Sequence, residues 1–261
     1  MSAAQGSVFV SIGHVMKALM LRNIRTRFFG TGLGFLVALS WPLVHMGLLI
    51  VISVAFGRLA PYGDSSAVFF ATGLVPFMAF LYISRFMMIS VQHTRPLLAF
   101  PAVKIPDLLL AGATLEVLSS CCSLIVLAVV LVAFGEDVTP LDIPRAGFAL
   151  CAAMLLGLGY GVFNSLLMMA MPIWMTVSSL FNVFLYLTSG VFFVPSSLPP
   201  TVRYYLSFNP LLQIIEWLRS AYYEGYGGEL LDRRYAVSFA VTLLFLGLLI
   251  ERVFRGRYLI K

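Results

Sequence analysis

This sequence has few residues of the types that act as nucleophiles, general acids or metal ligands. The spacing of these residues matches no known catalytic or metal-binding motif. Cys121, Cys122 and Cys151 all fall inside apolar segments and lack metal-binding spacing. No Gly-Lys dipeptide occurs anywhere, so the sequence has no Walker A loop to hold nucleotide phosphates. His45 and Glu116 also lie in apolar segments, but in two different ones. We therefore predict no catalytic residue, no metal site and no cofactor in this chain.

The elements that position these residues are apolar helices. Hydrophobic residues make up 61% of the 261 residues and charged residues only 11%, with a mean hydropathy of +0.98. Soluble domains are closer to half apolar and a quarter charged. A helix that crosses a bilayer needs about 20 apolar residues. The sequence predicts an all-α, polytopic membrane protein, one domain over residues 1–261, with six transmembrane helices at 33–56, 67–90, 108–134, 146–169, 173–194 and 236–254.

The charges predict how these spans are oriented. The formal net charge is +6, and with both termini in the cytoplasm most of the basic residues lie on the cytoplasmic side. This arrangement agrees with the excess of Lys and Arg in the cytoplasmic loops of membrane proteins. Membrane topology therefore explains the basic balance, and no nucleic-acid partner is expected.

Residues 7–29 predict an amphipathic helix that lies in the membrane interface. Apolar residues such as Ile12 and Leu19 recur at helical spacing, while Lys17, Arg22 and Arg25 take the other side. We do not expect a signal peptide, because the basic residues follow the apolar stretch and no small-residue cleavage site ends it.

Residues 195–232 predict a re-entrant hairpin on the outer side, between the fifth and sixth spans. Prolines interrupt the apolar run in PSSLPP and again at Pro210, and the second apolar piece carries Arg203 and Glu216. Broken apolar helices persist in a membrane only where protein or a water-filled cavity covers them. Such helices are typical of transporters, so we expect the hairpin to form the outer lid of a conduit.

Residues 92–107 form the predicted cytoplasmic loop between the second and third spans. Pro96, Pro101 and Pro106 leave room for one short helix that exposes apolar residues, among them Leu98 and Phe100. Two interpretations remain open at this point. The apolar surface either docks on another protein or lies back on the lipid headgroups.

Three stretches together carry a family resemblance. They are RNIRTRFFGTGLGFLVALSWPL, RPLLAFPAVKIPDLLLAGATLE and SGVFFVPSSLPPTVRYYLSFNPLLQIIEWLRSAYYEGY. In this order they resemble the polysaccharide-exporting permeases of type-2 ABC transporters, and within them those that export capsular polysaccharide. The likeness covers nearly the whole chain.

The resemblance implies a transport subunit of a bacterial inner membrane, not an enzyme. It implies a homodimer paired with two copies of a cytoplasmic ATPase that binds ATP and Mg²⁺. Lipid-linked capsular polysaccharide would pass between the two permease subunits toward the periplasm. A periplasmic or outer-membrane polysaccharide export protein would be a further partner.

The resemblance also suggests which residues contact the ATPase. The segment from Arg95 to Ile105 matches the coupling helix of the family, and the basic N-terminal helix would lie at the same interface. Binding to anionic lipid, at about 1 kcal/mol for each basic residue, is the alternative role. The predicted coupling residues are Arg22, Arg25, Arg27, Arg95, Leu98, Phe100 and Lys104.

Candidates for the substrate path are polar and aromatic residues. Glu116 either pairs with Arg85 or forms part of the cytoplasmic mouth, since a buried acid needs a partner or water. His45 either lines the path or bonds to a neighbouring helix. The aromatic residues of the hairpin either contact sugar or form an interfacial belt. The remaining candidates are Tyr160, Asn164 and Tyr186 within spans, and Tyr204, Tyr205, Trp217, Tyr222 and Tyr223 in the hairpin.

Two other functions are compatible with the pattern. A permease of the same fold could export a drug or a lipid. An intramembrane glycosyl- or acyl-transferase would need acids, histidines or metal ligands that converge at one membrane depth. The predicted topology places His45 and Glu116 in opposite halves of the bilayer.

Overall fold

A computed structural model of the chain describes residues 17–25, 33–55, 60–99, 103–171, 173–227 and 230–259. Within these ranges the chain forms helices and turns but no strand, which confirms the all-α expectation there. Short 3-10 helices occur at Arg95–Ala99 and Pro195–Ser197. The α-helices are α1 (17–25), α2 (Leu33–Ala55), α3 (Ser66–Thr94), α4 (Ile105–Ala133), α5 (Ile143–Ala170), α6 (Trp174–Thr188), α7 (Pro200–Leu206), α8 (Pro210–Tyr222) and α9 (Arg233–Leu259).

Among the described helices, α3, α4, α5 and α9 are long and apolar enough to cross a membrane. Helix α2 has 23 residues, which at 1.5 Å per residue corresponds to about 35 Å. Helix α6 has only 15 residues, or about 22 Å, which is shorter than a hydrocarbon core of about 30 Å. These helices are those of a polytopic membrane protein, and α6 alone is too short to cross a typical bilayer at any tilt.

Helices α3 and α5 form the centre of the protein. The apolar window of α3 is 78% buried, whereas that of α9 is 22% buried. Helix α3 contributes large side chains to the core, including Phe69, Phe70 and Phe77, and α5 contributes small ones, including Ala149 and Ala153. Large residues on one helix therefore pack against small residues on the next, as expected where helices associate in lipid.

Glycines of α5 bring its backbone close to both neighbours. A Cβ atom placed on Gly161 would lie 2.7 Å from the carbonyl oxygen of Ser84 in α3. A Cβ atom on Gly159 would lie 2.7 Å from the carbonyl oxygen of Ala240 in α9. The backbone of α5 therefore lies close to α3 and to α9, as small residues allow where helices associate in lipid.

The chain between α6 and α9 turns back into the core. The α-helix ends before Gly190, whose φ of +80° is in the left-handed region that favours glycine. Asn209 caps α8 by accepting the N–H of Leu211, and Pro210 occupies the first helical turn. Every residue from 211 to 219 is buried, because α8 packs against α3, α5 and α9.

Candidate functional site

The N-terminal helix and the predicted coupling loop meet at the start of α4. Leu19 of α1 packs with Leu108 and Ala111 of α4, and the partly buried Leu97 and Val103 of the loop join this cluster. The same contact brings together the two segments predicted to dock on an ATPase. Apolar packing against α4 therefore ties both to a long apolar helix.

The individual coupling candidates differ in exposure. Arg25 and Lys104 are exposed, and Arg22 is half-buried. Lys104 directly precedes α4, where its backbone N–H donates to Asp107 Oδ2 at 3.0 Å. Arg95 and Leu98 belong to the 3-10 helix Arg95–Ala99. Arg27 and Phe100 lie outside the described residues.

The titratable candidates of the spans lie on three different helices. His45 Nδ1 is 3.0 Å from the hydroxyl of Tyr82, which links α2 to α3. Glu116 is 3% exposed on α4, whereas the side chain of Arg85 on α3 is exposed. His45 is thus bonded to a neighbouring helix, one of the two roles open to it.

An apolar cavity of about 590 Å³ separates α6 from the core. We call it the aromatic cavity, because rings from five helices and the turn before α8 line it. Three of the predicted path residues, Tyr160, Asn164 and Tyr205, belong to its wall. The aromatic side chains are Phe80, Tyr160, Phe163, Trp174, Phe181, Phe184, Tyr205, Phe208 and Phe239.

One end of the aromatic cavity is fixed by a hydrogen-bonded pair. The indole N–H of Trp174 donates to Asn164 Oδ1 at 2.6 Å, and Asn164 Nδ2 donates to the Tyr160 carbonyl. Among the described side chains of α6, only Ser178 and Leu185 are buried. The base of α6 is therefore fastened to α5, while most of its length borders the cavity or faces outward.

The remaining aromatic candidates do not line one path. Tyr204 and Tyr205 are exposed on α7, whereas Trp217 is 8% exposed within the core. Tyr186 packs on Phe77 and Phe192. Tyr223 forms an edge-to-face contact with Tyr62, and Tyr222 lies beside α4 in a separate cavity.

A buried arginine on α8 organises the turn that follows α6. Arg219 is 0% exposed and donates to the carbonyl oxygens of Gly190 (2.7 Å), Val191 (2.9 Å) and Phe193 (3.2 Å). Its guanidinium lies 3.9 Å from the ring centroid of Phe69 on α3. A planar group with several donors suits this combination of carbonyl binding and ring stacking.

Glu216 and Tyr226 complete what we call the Arg219 cluster, which consists of Phe69, Glu216, Arg219 and Tyr226. Tyr226 donates its hydroxyl to Glu216 Oε1 at 2.8 Å, and the same oxygen lies 3.8 Å from Arg219 Nη1. Burial raises the pKa of the Glu216 carboxyl above its usual range, although Arg219 and the Tyr226 hydrogen bond act against it. Burial likewise raises the pKa of Tyr226.

The sequence interpretation did not identify this cluster. The sequence places Glu216 in the predicted outer hairpin, and the structure buries both Glu216 and Arg219. The available signal was their spacing of three residues within the largely apolar segment 211–221, because charges in such a segment need each other or the backbone.

Comparisons with known proteins give the family. Residues 14–223 match the family described as ABC-2 type transporter. The polysialic acid transport protein KpsM of Escherichia coli is 29% identical over 238 residues, which cover 91% of this chain and 92% of KpsM. The capsule polysaccharide export inner-membrane protein CtrC of Neisseria meningitidis serogroup B is 30% identical over 240 residues, which cover 90% of this chain and 88% of CtrC. A match of this extent to the family and to two full-length relatives means that this chain belongs to the ABC-2 type transporter family.

Proposed function

We propose that this chain is the transmembrane permease subunit of an ATP-driven exporter of lipid-linked capsular polysaccharide in a bacterial inner membrane. The observation that carries the proposal is similarity along about nine-tenths of the chain to KpsM and CtrC, whose names describe polysialic acid transport and capsule polysaccharide export. The apolar helices fit an integral membrane subunit, and the chain has no Walker A loop. ATP hydrolysis is therefore assigned to a separate chain.

In this proposal the six segments of the sequence prediction all serve as spans, with both termini in the cytoplasm. The fifth span, 173–194, consists of α6 together with the turn that follows it. Helix α6 then enters the membrane, and the turn, α7 and α8 return to the outer side as a re-entrant hairpin. Burial of α8 supports this arrangement, because broken helices in a membrane must be covered by protein.

The proposed assembly contains two copies of this chain and two copies of the ATPase. Outward-facing apolar residues on α2 and α6, including Trp41, Val44, Leu180 and Leu187, suit either lipid or the second copy. A periplasmic or outer-membrane export protein would receive the polysaccharide. Drug or lipid export by the same fold is the alternative function.

Deletion of the gene should leave the polysaccharide in the cytoplasm and remove it from the cell surface. The physical reason is that a long hydrophilic glycan cannot cross the hydrocarbon core without a conduit. Immunostaining of intact and permeabilised cells measures the two populations. Surface glycan that is unchanged in the deletion strain would contradict the proposal and favour a drug or lipid substrate.

Charge reversal at the coupling surface should weaken ATPase binding. The double variant Arg25→Glu/Lys104→Glu is expected to retain about tenfold less ATPase on co-purification, because it replaces two exposed cations at the proposed contact. Arg233→Glu/Arg234→Glu, which reverses two exposed cations at the start of α9, is the matched control. Equal ATPase recovery from both variants would assign the basic residues to lipid binding instead.

A further inference from the structure

Helix α7 separates the aromatic cavity from polar ones. A cavity of about 460 Å³ contains Glu216, Tyr226, Tyr62, Arg203 and Ser196 in its wall, and we call it the Glu216 cavity. A neighbouring cavity of about 500 Å³ shares Arg203 and Leu230 with it and adds other polar and aromatic residues, among them Gln213, Asp232, Tyr204 and Tyr235. The region between α7 and the start of α9 is thus a polar cleft with aromatic walls.

Glu216 supplies a buried acceptor to this cleft. The residue is 3% exposed, and its Oε1 atom is engaged by Tyr226 and Arg219. Oε2 is the oxygen on the side of Gly227, which also belongs to the wall of the Glu216 cavity. Each oxygen of a carboxylate can accept more than one hydrogen bond. The geometry therefore presents one acceptor that suits a hydroxyl donor in the cavity.

The backbone beside Glu216 keeps this acceptor accessible. Gly227 has a φ of +78°, and a Cβ atom on it would lie 3.7 Å from Glu216 Oε2. A residue with a longer side chain at this position would be strained, and its side chain would approach the carboxylate. Glycine thus leaves open the approach to Oε2 on this side.

The composition of the wall limits the class of ligand. Glu216 is the one acid among the described residues of the wall, and Arg219 Nη1 lies 3.8 Å from its Oε1 atom, so the local charge does not favour a metal cation. No group of three metal-binding side chains occurs in the part of the chain that the structure describes. Tyr62, whose ring meets that of Tyr226 edge to face at 4.9 Å, adds apolar ring surface. Hydroxyl groups beside apolar C–H faces, as in a sugar, match an acceptor beside aromatic rings.

We propose that the Glu216 cavity is a saccharide-binding subsite, in which Glu216 Oε2 accepts a sugar hydroxyl and Tyr62 contacts the apolar face of the ring. The proposal rests on the proposed function, since it takes the transported glycan as the ligand. A volume of about 460 Å³ lies within the range of roughly 300–1,000 Å³ of small-molecule sites. The cavity therefore holds a short piece of the glycan and not the whole polymer. Contacts of this kind would guide the glycan along the hairpin.

A substitution that fills the cavity tests the proposal without replacing any residue of the Arg219 cluster. Ser196 is exposed, lines the Glu216 cavity and belongs to the 3-10 helix Pro195–Ser197. Ser197→Trp is the matched control, because Ser197 is also exposed but does not line the cavity. The probe is a set of short oligosaccharides released from the capsule of the same cells. Saturation-transfer NMR on the full permease–ATPase complex in lipid nanodiscs measures their binding.

Ser196→Trp is expected to weaken oligosaccharide binding by about tenfold, and Ser197→Trp to leave it unchanged. Glu216→Gln, which replaces one acceptor oxygen with an N–H₂ donor, should also weaken binding by about tenfold. Recovery of ATPase with each variant checks that the complex is intact, and Glu216→Gln decides the outcome if Ser196→Trp does not assemble. Unchanged binding in both cavity variants, or an equal loss in the Ser197→Trp control, would overturn the subsite.

The deletion experiment and the binding experiment distinguish an error in the subsite proposal from an error in the proposed function. If gene deletion abolishes surface glycan while all variants bind oligosaccharide equally, the protein is the exporter and the Glu216 cavity is not a subsite. If deletion leaves surface glycan unchanged, the polysaccharide function is wrong, and the subsite proposal that rests on it is withdrawn with it.

Discussion

Replacement of Arg219 with leucine is expected to lower the thermal midpoint of the purified protein by about 10 °C or more. The guanidinium donates to three backbone carbonyls, stacks on Phe69 and lies beside Glu216. Leucine removes the hydrogen bonds, the ring contact and the ion pair at the same time. Removing one partner of a buried ion pair costs about 3–5 kcal/mol. Each kcal/mol corresponds to roughly 2–4 °C in a protein of nearly this size. A thermal shift assay in detergent, followed by surface-glycan staining of the same strain, measures stability and export.

Two further variants make this prediction specific. Arg234→Leu removes an exposed arginine from the start of α9 and should shift the midpoint by no more than about 2 °C. Arg219→Lys keeps the charge but loses the planar group, so an intermediate loss is expected. If Arg219→Leu is as stable as Arg234→Leu, the Arg219 cluster does not hold the hairpin in place.

Gly161→Ala is the second substitution for which we expect a large effect. The added methyl group would lie 2.6 Å from Met87 Cβ and 2.7 Å from the Ser84 carbonyl oxygen, and the latter belongs to the backbone of α3. Because a helix backbone cannot move aside as a side-chain end does, α3 and α5 must separate. We expect a loss of about 2–3 kcal/mol in the free energy of unfolding, measured by the same thermal assay.

Gly147→Ala on the same helix is the matched control. No atom lies within 4 Å of a Cβ atom at Gly147, so alanine should leave stability unchanged or raise it by about 0.5–1 kcal/mol through its higher helix preference. If the two alanine variants have the same midpoint, the contact between α3 and α5 is softer than the distances indicate.

The helical core was predictable because lipid imposes simple rules on sequence. Apolar runs of about 20 residues predict helices, and α3, α4, α5 and α9 are such helices among the residues that the structure describes. The glycines at 157, 159 and 161 similarly predict close helix approach. Each of these inferences needs only local sequence. The reason is that the hydrocarbon of the bilayer imposes the same requirements on every helix that crosses it.

The arrangement after α6 was not predictable in the same way. The apolar sequence of the predicted fifth span continues to Val194, but the α-helix ends at Thr188. The carbonyls of Gly190 and Val191 bond to Arg219, which lies 28–29 residues away in sequence. Trp217 is likewise part of the core because α8 packs against α3 and α5, although its type and position fit an interfacial belt equally well. Contacts over such separations leave no periodic signal in the sequence.

The long sequence separation of the Arg219 contacts has a consequence for biosynthesis. The carbonyl groups at 190, 191 and 193 are translated 26–29 residues before the arginine that binds them. Helix α6 therefore leaves the ribosome with an unfinished C-terminal turn, and the turn is completed only when α8 has been made and has packed against α3. We consequently expect the segment from α6 to α8 to mature as one unit, late in synthesis. We therefore expect a chain that stops before residue 219 to leave these carbonyl groups without their guanidinium donor and to be less stable than the full chain.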